Sequence, residues 1–303
     1  MKIKKCILLL ILILPSIKSV AQSNIRLNND WSNTYLINPA SFIDKGIAEF
    51  NMAARKQWVG FDGSPTTLFA SGAYYLEDWD TQFGLKVLQD KIGFTSVTNV
   101  GLTYAYDVRL DIAWKLNMGL ALNYQSLSYD VSEVQSPSGY DPIVADHLLN
   151  EGNVNSDLGF ELINKNYRFG LAGQNIFSLF FPINKLFLNT NYAYAMYRDY
   201  NHEFFNLGYG VCGIQYSRFY QMEFNLTGYF KATPSTNPFQ IGLIYRTSNE
   251  VGALFGLDIT PNFGISYSYD YNFSGISNAS FGTHEMMLTY RLDKVFHCKN
   301  CWY

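Results

Sequence analysis

The chain has 303 residues, with 16% charged, 17% aromatic and 23 glycines. So few charges beside so many rings is unlike a soluble globular domain, where about a quarter of residues are charged; it suits a β-protein with an apolar outer band. The acidic balance, a formal net charge of −3, argues against a nucleic-acid partner, which would need a basic stripe.

Residues 1–21 read as a secretory signal peptide. Lys2, Lys4 and Lys5 precede a short apolar run, Ile7–Leu14, then Pro15 and a small-x-small site at Ser19-Val20-Ala21. The run is too short to span a bilayer as a helix. Cleavage there removes four lysines and no acid. It leaves 18 basic against 25 acidic side chains, a net of −7. Residues 22–46 are a polar lead-in, rich in Asn and expected to be irregular with short helical turns. Asn38-Pro39-Ala40 marks a turn. The expected place of this segment is the periplasm.

From Ile47 the pattern becomes strand-like. Ala48, Phe50, Met52 and Ala54 alternate with Glu49, Asn51, Ala53 and Arg55. A turn follows at Gly60–Pro65, and a second strand at Thr67–Leu76. Thr81–Gln89 and Ser96–Asp107 repeat the alternation. The run Ile112, Trp114, Leu116, Met118, Leu120, Leu122 and Tyr124 keeps period two over seven apolar residues, which a helix with one dry face cannot do. Residues 128–154 carry turn chemistry at Ser136–Gly139 and Asp141-Pro142, with a short helix expected over 143–149. Strands resume at Leu158–Asn164, Tyr167–Asn175, Leu186–Tyr197, Phe205–Tyr216, Tyr220–Lys231, Phe239–Arg246, Val251–Ile259, Phe263–Phe273 and His284–Leu292. Ile176–Asn184 contains Pro182 and is a loop or bent strand.

The count is about 14 strands, most of them about 9–13 residues long, as a tilted membrane-crossing strand needs. Ionisable residues from Glu49 to Arg291 fall on the non-aromatic parity, together with Gly, Ala, Ser and Asn. Small neutral residues fit the inside of a closed barrel better than a water-washed face. A Lys or Arg on the lipid face costs roughly 2–4 kcal/mol at mid-bilayer. Lys56 departs from the rule, at a strand end where it can snorkel. The expected fold is therefore all-β: an up-and-down antiparallel outer-membrane barrel over residues 47–292, with a tail at 293–303. An even strand number puts both ends in the periplasm. The turn near residues 59–66, the 128–154 insertion, 176–184 and 274–282 then face outward. A soluble periplasmic β-sandwich is the competing architecture.

At this point the chain resembles a known family. Asn38-Pro39-Ala40, the string Arg55-Lys56-Gln57-Trp58-Val59-Gly60-Phe61-Asp62-Gly63-Ser64-Pro65-Thr66-Thr67, and the closing Gly282–Arg291 are similar to the PorP/SprF family of type IX secretion outer-membrane proteins. The resemblance covers essentially the whole mature chain. It implies an outer-membrane barrel that contacts other type IX components, or an exported cell-surface protein of the adhesin type linked to gliding. The barrel-facing partner is lipid. A channel or hydrophobic-solute transporter is the alternative.

The sites expected are few. Arg55, Gln57, Trp58, Gly60, Phe61, Asp62, Gly63 and Pro65 form either a partner-docking turn, with Trp58 and Phe61 as anchors, or a turn needed for folding. Cys298 and Cys301 follow His297 and make either a periplasmic disulfide or two idle thiols. They lack the further ligands of a metal site. His147, His202, His284 and His297 are scattered, and no Gly-x-Ser-x-Gly elbow occurs. No enzyme, cofactor, metal or small-molecule substrate is expected.

Overall fold

Alternation of apolar and polar or small residues underlies the strands, which run 8–15 residues. The computed structural model describes residues 26–43, 46–129, 151–181, 188–231, 239–275 and 280–293. The expected signal peptide, the 143–149 helix and the Cys298/Cys301 pair lie outside them. The strands are β1 (Ala48–Lys56), β2 (Thr66–Leu76), β3 (Thr81–Ile92), β4 (Thr95–Arg109), β5 (Lys115–Tyr129), β6 (Glu151–Ile163), β7 (Tyr167–Gln174), β8 (Thr190–Arg198), β9 (Phe205–Tyr216), β10 (Phe219–Phe230), β11 (Phe239–Arg246), β12 (Glu250–Asp258), β13 (Phe263–Asn272) and β14 (Thr283–Leu292). One helical turn, α1 (Phe177–Phe180), lies between β7 and β8.

Each strand pairs antiparallel with its sequence neighbours, and β1 closes on β14 in register from Ala48↔Leu292 to Lys56↔His284. Closure leaves no edge, so every strand's backbone polar groups can be paired within the sheet, as a bilayer demands. The 14-strand barrel expected from the alternation is the fold observed.

The two faces of the wall differ as the alternation requires. Phe50, Met52, Leu68, Leu85, Leu102, Leu122, Leu171, Leu243 and Phe255 are exposed on the outside. The buried positions are mostly polar or small: Glu49, Asn51, Arg55, Asp107, Asn117, Glu161, Glu223, Arg246, Asp270 and Glu285. A belt of ring pairs surrounds one end. Phe83–Tyr104, Tyr167–Tyr197, Tyr197–Tyr209 and Phe230–Phe239 lie at 5.3, 5.0, 5.1 and 4.6 Å between centroids. Amphipathic rings belong at such an interface. This is the end where the chain enters β1 and leaves β14. β5 ends and β6 begins at the other end, separated in sequence by the 21 residues 130–150, and β7 ends and β8 begins there, separated by the 15 residues 175–189, which makes the belted end periplasmic by the usual loop asymmetry.

Two sequence expectations are corrected. Ile112 and Trp114 continue the alternation of β5 but sit in the β4–β5 turn. There Asp111 Oδ1 accepts the Ala113 and Trp114 amides at 2.6 and 2.7 Å, and this Asx turn ends the strand. The larger correction concerns the lead-in. Residues 26–43 do not hang below the barrel; they are folded into its lumen. Two 3-10 turns, Asn28–Trp31 and Thr34–Leu36, form within it. The lumen is therefore plugged.

Candidate functional site

The plug is short polar chain, and the wall supplies its partners. Near the outer end, Glu285 accepts from the Asn28 amide (2.8 Å), the Asn29 amide (3.1 Å) and Asn29 Nδ2 (2.6 Å). Asn28 Nδ2 donates to Ser268 and Asp270, both at 2.8 Å. Arg26 pairs with Asp30 at 2.7 Å and with Glu223 at 2.9 Å. Trp31 Nε1 also donates to Glu223, and Arg246 Nη2 donates to Asn28 Oδ1. Arg246 reaches Glu223 at 2.5 Å and Asp270 at 3.2 Å. Plug and wall thus share one network of charges, each with opposite-charge partners, which is the condition for burying them at tolerable cost. Burial pushes the Asp30 carboxyl up to about 6, against the pull of Arg26.

Lower in the lumen neutral contacts join the charged ones. Tyr35 Oη and Thr103 Oγ1 lie 2.6 Å apart, and the Lys86 ammonium sits 4.2 Å from the Tyr35 ring centre. Burial pushes the Tyr35 phenol up to about 12. Asn38 Nδ2 donates to Tyr194 Oη at 2.9 Å, and Tyr194 donates to Glu161 at 2.6 Å. Ile37 packs with Ala172, Tyr192, Tyr194, Cys212 and Ile214. Cys212 is thus a packing residue. The plug lies directly against the wall at Gly84, Gly119 and Gly159, where any Cβ would overlap Tyr35, Pro39–Ala40 or Asn38. Gln82 holds the exit, accepting from the Ile43 amide and donating to the Ser41 carbonyl at 2.8 and 3.0 Å.

The sequence-predicted turn splits in two. Arg55 belongs to the lumen, where it pairs with Asp270 and Glu285, each at 3.1 Å. Pro65 is buried and Gln57 half-buried, and the Gln57 amide donates to the Pro65 carbonyl at 2.9 Å. Trp58 is half-buried at φ +53°, a left-handed conformation costly for a bulky residue, and its indole Nε1 has no acceptor. Gly60, Phe61, Asp62 and Gly63 form the exposed tip, with Phe61 51% exposed. Gly60 and Gly63 hold φ of +95° and +70°, which only glycine adopts freely. The turn is fixed to its surroundings. Val59 exchanges backbone bonds with Gly282 and Phe281 (2.9 and 2.7 Å), and the Gly93 amide donates to the Gly63 carbonyl at 3.0 Å. Lys56 reaches back to the Ser64 carbonyl and Thr66 hydroxyl at 3.1 and 2.9 Å, away from the membrane centre.

Sequence reasoning missed Arg26, Asn28, Asn29 and Asp30 as lumen residues. The available signal is the pairing of an apolar-poor, Asn-rich lead-in with strands whose inner parity carries many acids and arginines. Among the described residues no group of three or more His, Cys, Asp or Glu side chains could hold a metal.

Residues 19–290 match the family described as type IX secretion system membrane protein PorP/SprF. No curated protein matches the sequence. Among solved structures, the chain is similar to the outer membrane protein Omp33 of Acinetobacter baumannii: 10% identity, 82% of this chain, 99% of that chain, TM-score 0.50. It is likewise similar to the CymD monoaromatic hydrocarbon channel: 10% identity, 91% of this chain, 95% of that chain, TM-score 0.51. At such identity the two share a barrel fold with this chain and nothing finer.

Proposed function

Because the chain belongs to the PorP/SprF family of type IX secretion system membrane proteins, we propose that this outer-membrane barrel acts as a sealed docking component of that system. Its outer rim receives an exported surface protein of the adhesin or gliding type. Its periplasmic end meets other components of the apparatus.

The observation that carries this reading is the filled lumen. A conducting barrel needs an open path, whereas residues 26–43 are tied to β6, β10, β13 and β14 by charged and polar contacts. A docking component needs only a rigid rim. The Gly60–Gly63 tip supplies one, since Phe61 and Asp62 are exposed on a turn bonded to two neighbouring segments, at Phe281–Gly282 and at Gly93. An exposed ring beside a carboxylate suits an anchor with a polar rim.

The test uses a deletion strain complemented with the wild-type gene or with Phe61→Ala/Asp62→Ala. The readout is the fraction of each surface protein retained on cells rather than shed into the medium. The expected result is a normal level of folded barrel with reduced retention of one exported protein. Unchanged retention and motility in the deletion strain itself would sink the reading.

A further inference from the structure

At the periplasmic end a cavity of about 480 Å³ opens beneath the plug. Trp31, Thr34 and Phe42 of the plug line it together with the periplasmic ends of the strands. The volume falls within the roughly 300–1,000 Å³ of ordinary ligand pockets. Its wall carries Lys165, Arg168, Arg198 and Arg291 against Glu49 and Asp258. Both carboxylates are engaged by Arg291, at 3.3 and 3.1 Å.

The charges left over are informative. Arg26, Arg55, Arg168, Arg246 and Arg291 all have carboxylate partners. Among the described residues, Arg198 is the one arginine short of full exposure that lacks such a partner. It is instead held between two rings, its Cζ 3.6 Å from the centre of Tyr229 and 4.9 Å from that of Tyr200. Such stacking fixes the guanidinium plane without neutralising it. Its Nε is buried with no acceptor. A second donor on the same wall, Asn225 Nδ2, is also buried and unpartnered, while the Asn225 oxygen accepts from Thr227 Oγ1 at 2.9 Å. Buried donors without acceptors are rare in folded proteins and call for an explanation.

We propose that the vestibule is a carboxylate-binding site in which Arg198, clamped by Tyr200 and Tyr229, receives an acidic group presented from the periplasm. The planar fork of Arg198 suits a carboxylate. Because residues 26–43 are bonded to the lumen wall, the site takes a chain end, an acidic side chain or a small diacid and not a chain threading the membrane. The site is separate from the outer tip and does not depend on what docks there.

The test is calorimetric titration of the intact, detergent-solubilised protein with two acids: succinate, and the blocked peptide acetyl-Glu-Glu-Glu-amide. Succinamide and acetyl-Gln-Gln-Gln-amide are the neutral controls. The expected result is saturable binding of at least one acid and neither control. Arg198→Gln weakens it about tenfold or more, the worth of one charge-assisted hydrogen bond. Arg218→Gln, on the exposed outer turn, leaves it unchanged. Binding of the peptide alone assigns the carboxylate to a polypeptide, and binding of succinate alone assigns it to a free acid. Absence of saturation by either acid, equal binding of the neutral analogues, or full affinity in Arg198→Gln overturns the proposal. Should Arg198→Gln fail to fold, Tyr229→Leu removes half of the clamp and keeps the charge; wild-type affinity in that variant also overturns it.

Discussion

Arg55 of β1 and Glu285 of β14 stand opposite each other across the seam that closes the barrel, and their side chains pair at 3.1 Å inside the lumen. The seam repeats this logic along its length. Thr289 donates to Asn51 at 2.8 Å, and Arg291 pairs with Glu49 at 3.3 Å. All three cross-strand pairs point inward, while Phe50↔Tyr290 and Met52↔Leu288 point outward. The first and last strands therefore recognise each other by charge within and by apolar contact without. A slip of one residue would place charges on the outer face.

Arg55 is accordingly a seam residue, and its loss should be felt as stability. Arg55→Ala leaves Glu285 and Asp270 short of a buried partner, and breaking a buried pair costs about 3–5 kcal/mol. The expected outcome is a markedly lower urea midpoint for the barrel in lipid vesicles, followed by tryptophan fluorescence. Arg55→Ala/Glu285→Ala should cost less than the sum of the single changes, because residues in contact are not additive. An unchanged midpoint in Arg55→Ala would show that the pair contributes nothing to closure.

The barrel wall is legible in the sequence because its signal is local. Phe263, Ile265, Tyr267, Tyr269 and Tyr271 alternate with Gly264, Ser266, Ser268 and Asp270, and no distant partner is needed to read two faces. The plug is not legible in that way. Asn28 finds its partners 218 to 257 residues away, on β11, β13 and β14. Nothing in Asn28-Asn29-Asp30 states that a closed lumen awaits it. Arg55 shows both situations at once. Its parity places it inside, yet its position in the Arg55–Thr67 string suggests the outer turn, and only the pairing with β14 decides.

The close fit of plug to wall yields a second prediction. At Gly159 a side chain would occupy the place of Asn38. Gly159→Leu should displace residues 38–40 while leaving the outward face of β6 intact. Wild-type protein should show no stepwise conductance in planar bilayers, and Gly159→Leu should show openings and faster proteolysis of residues 26–43. Sustained conductance through the wild-type barrel would favour the channel alternative over a sealed docking component.

The two parts of the outer turn should separate on mutation. Phe61 is exposed and Gly63 holds φ +70°. Phe61→Ala should change stability by no more than about 0.5 kcal/mol, as exposed positions generally do. Gly63→Ala forces a Cβ into the left-handed region and should cost about 1 kcal/mol or more. Urea midpoints measure both. Equal losses would mean that the tip is as structural as its base, and the docking surface would have to be sought elsewhere on the rim.

The membrane face can be tested on β4, where neighbouring residues look in opposite directions. Leu102 is 63% exposed and faces Leu85 and Leu122 on the adjacent strands. Thr103, the next residue, is buried against Tyr35. Leu102→Lys places a charge on the outward face near the middle of the strand, at an expected cost of roughly 2–4 kcal/mol in a bilayer. The same variant in detergent should lose less, since a micelle deforms around the ammonium group. Thr103→Ala removes one plug contact, worth about 1 kcal/mol, and its cost should be the same in bilayer and detergent. Comparing urea midpoints in the two media therefore distinguishes a residue that meets lipid from one that meets the plug. A medium-independent effect of Leu102→Lys would place that face in water and contradict the membrane-spanning assignment of the strand.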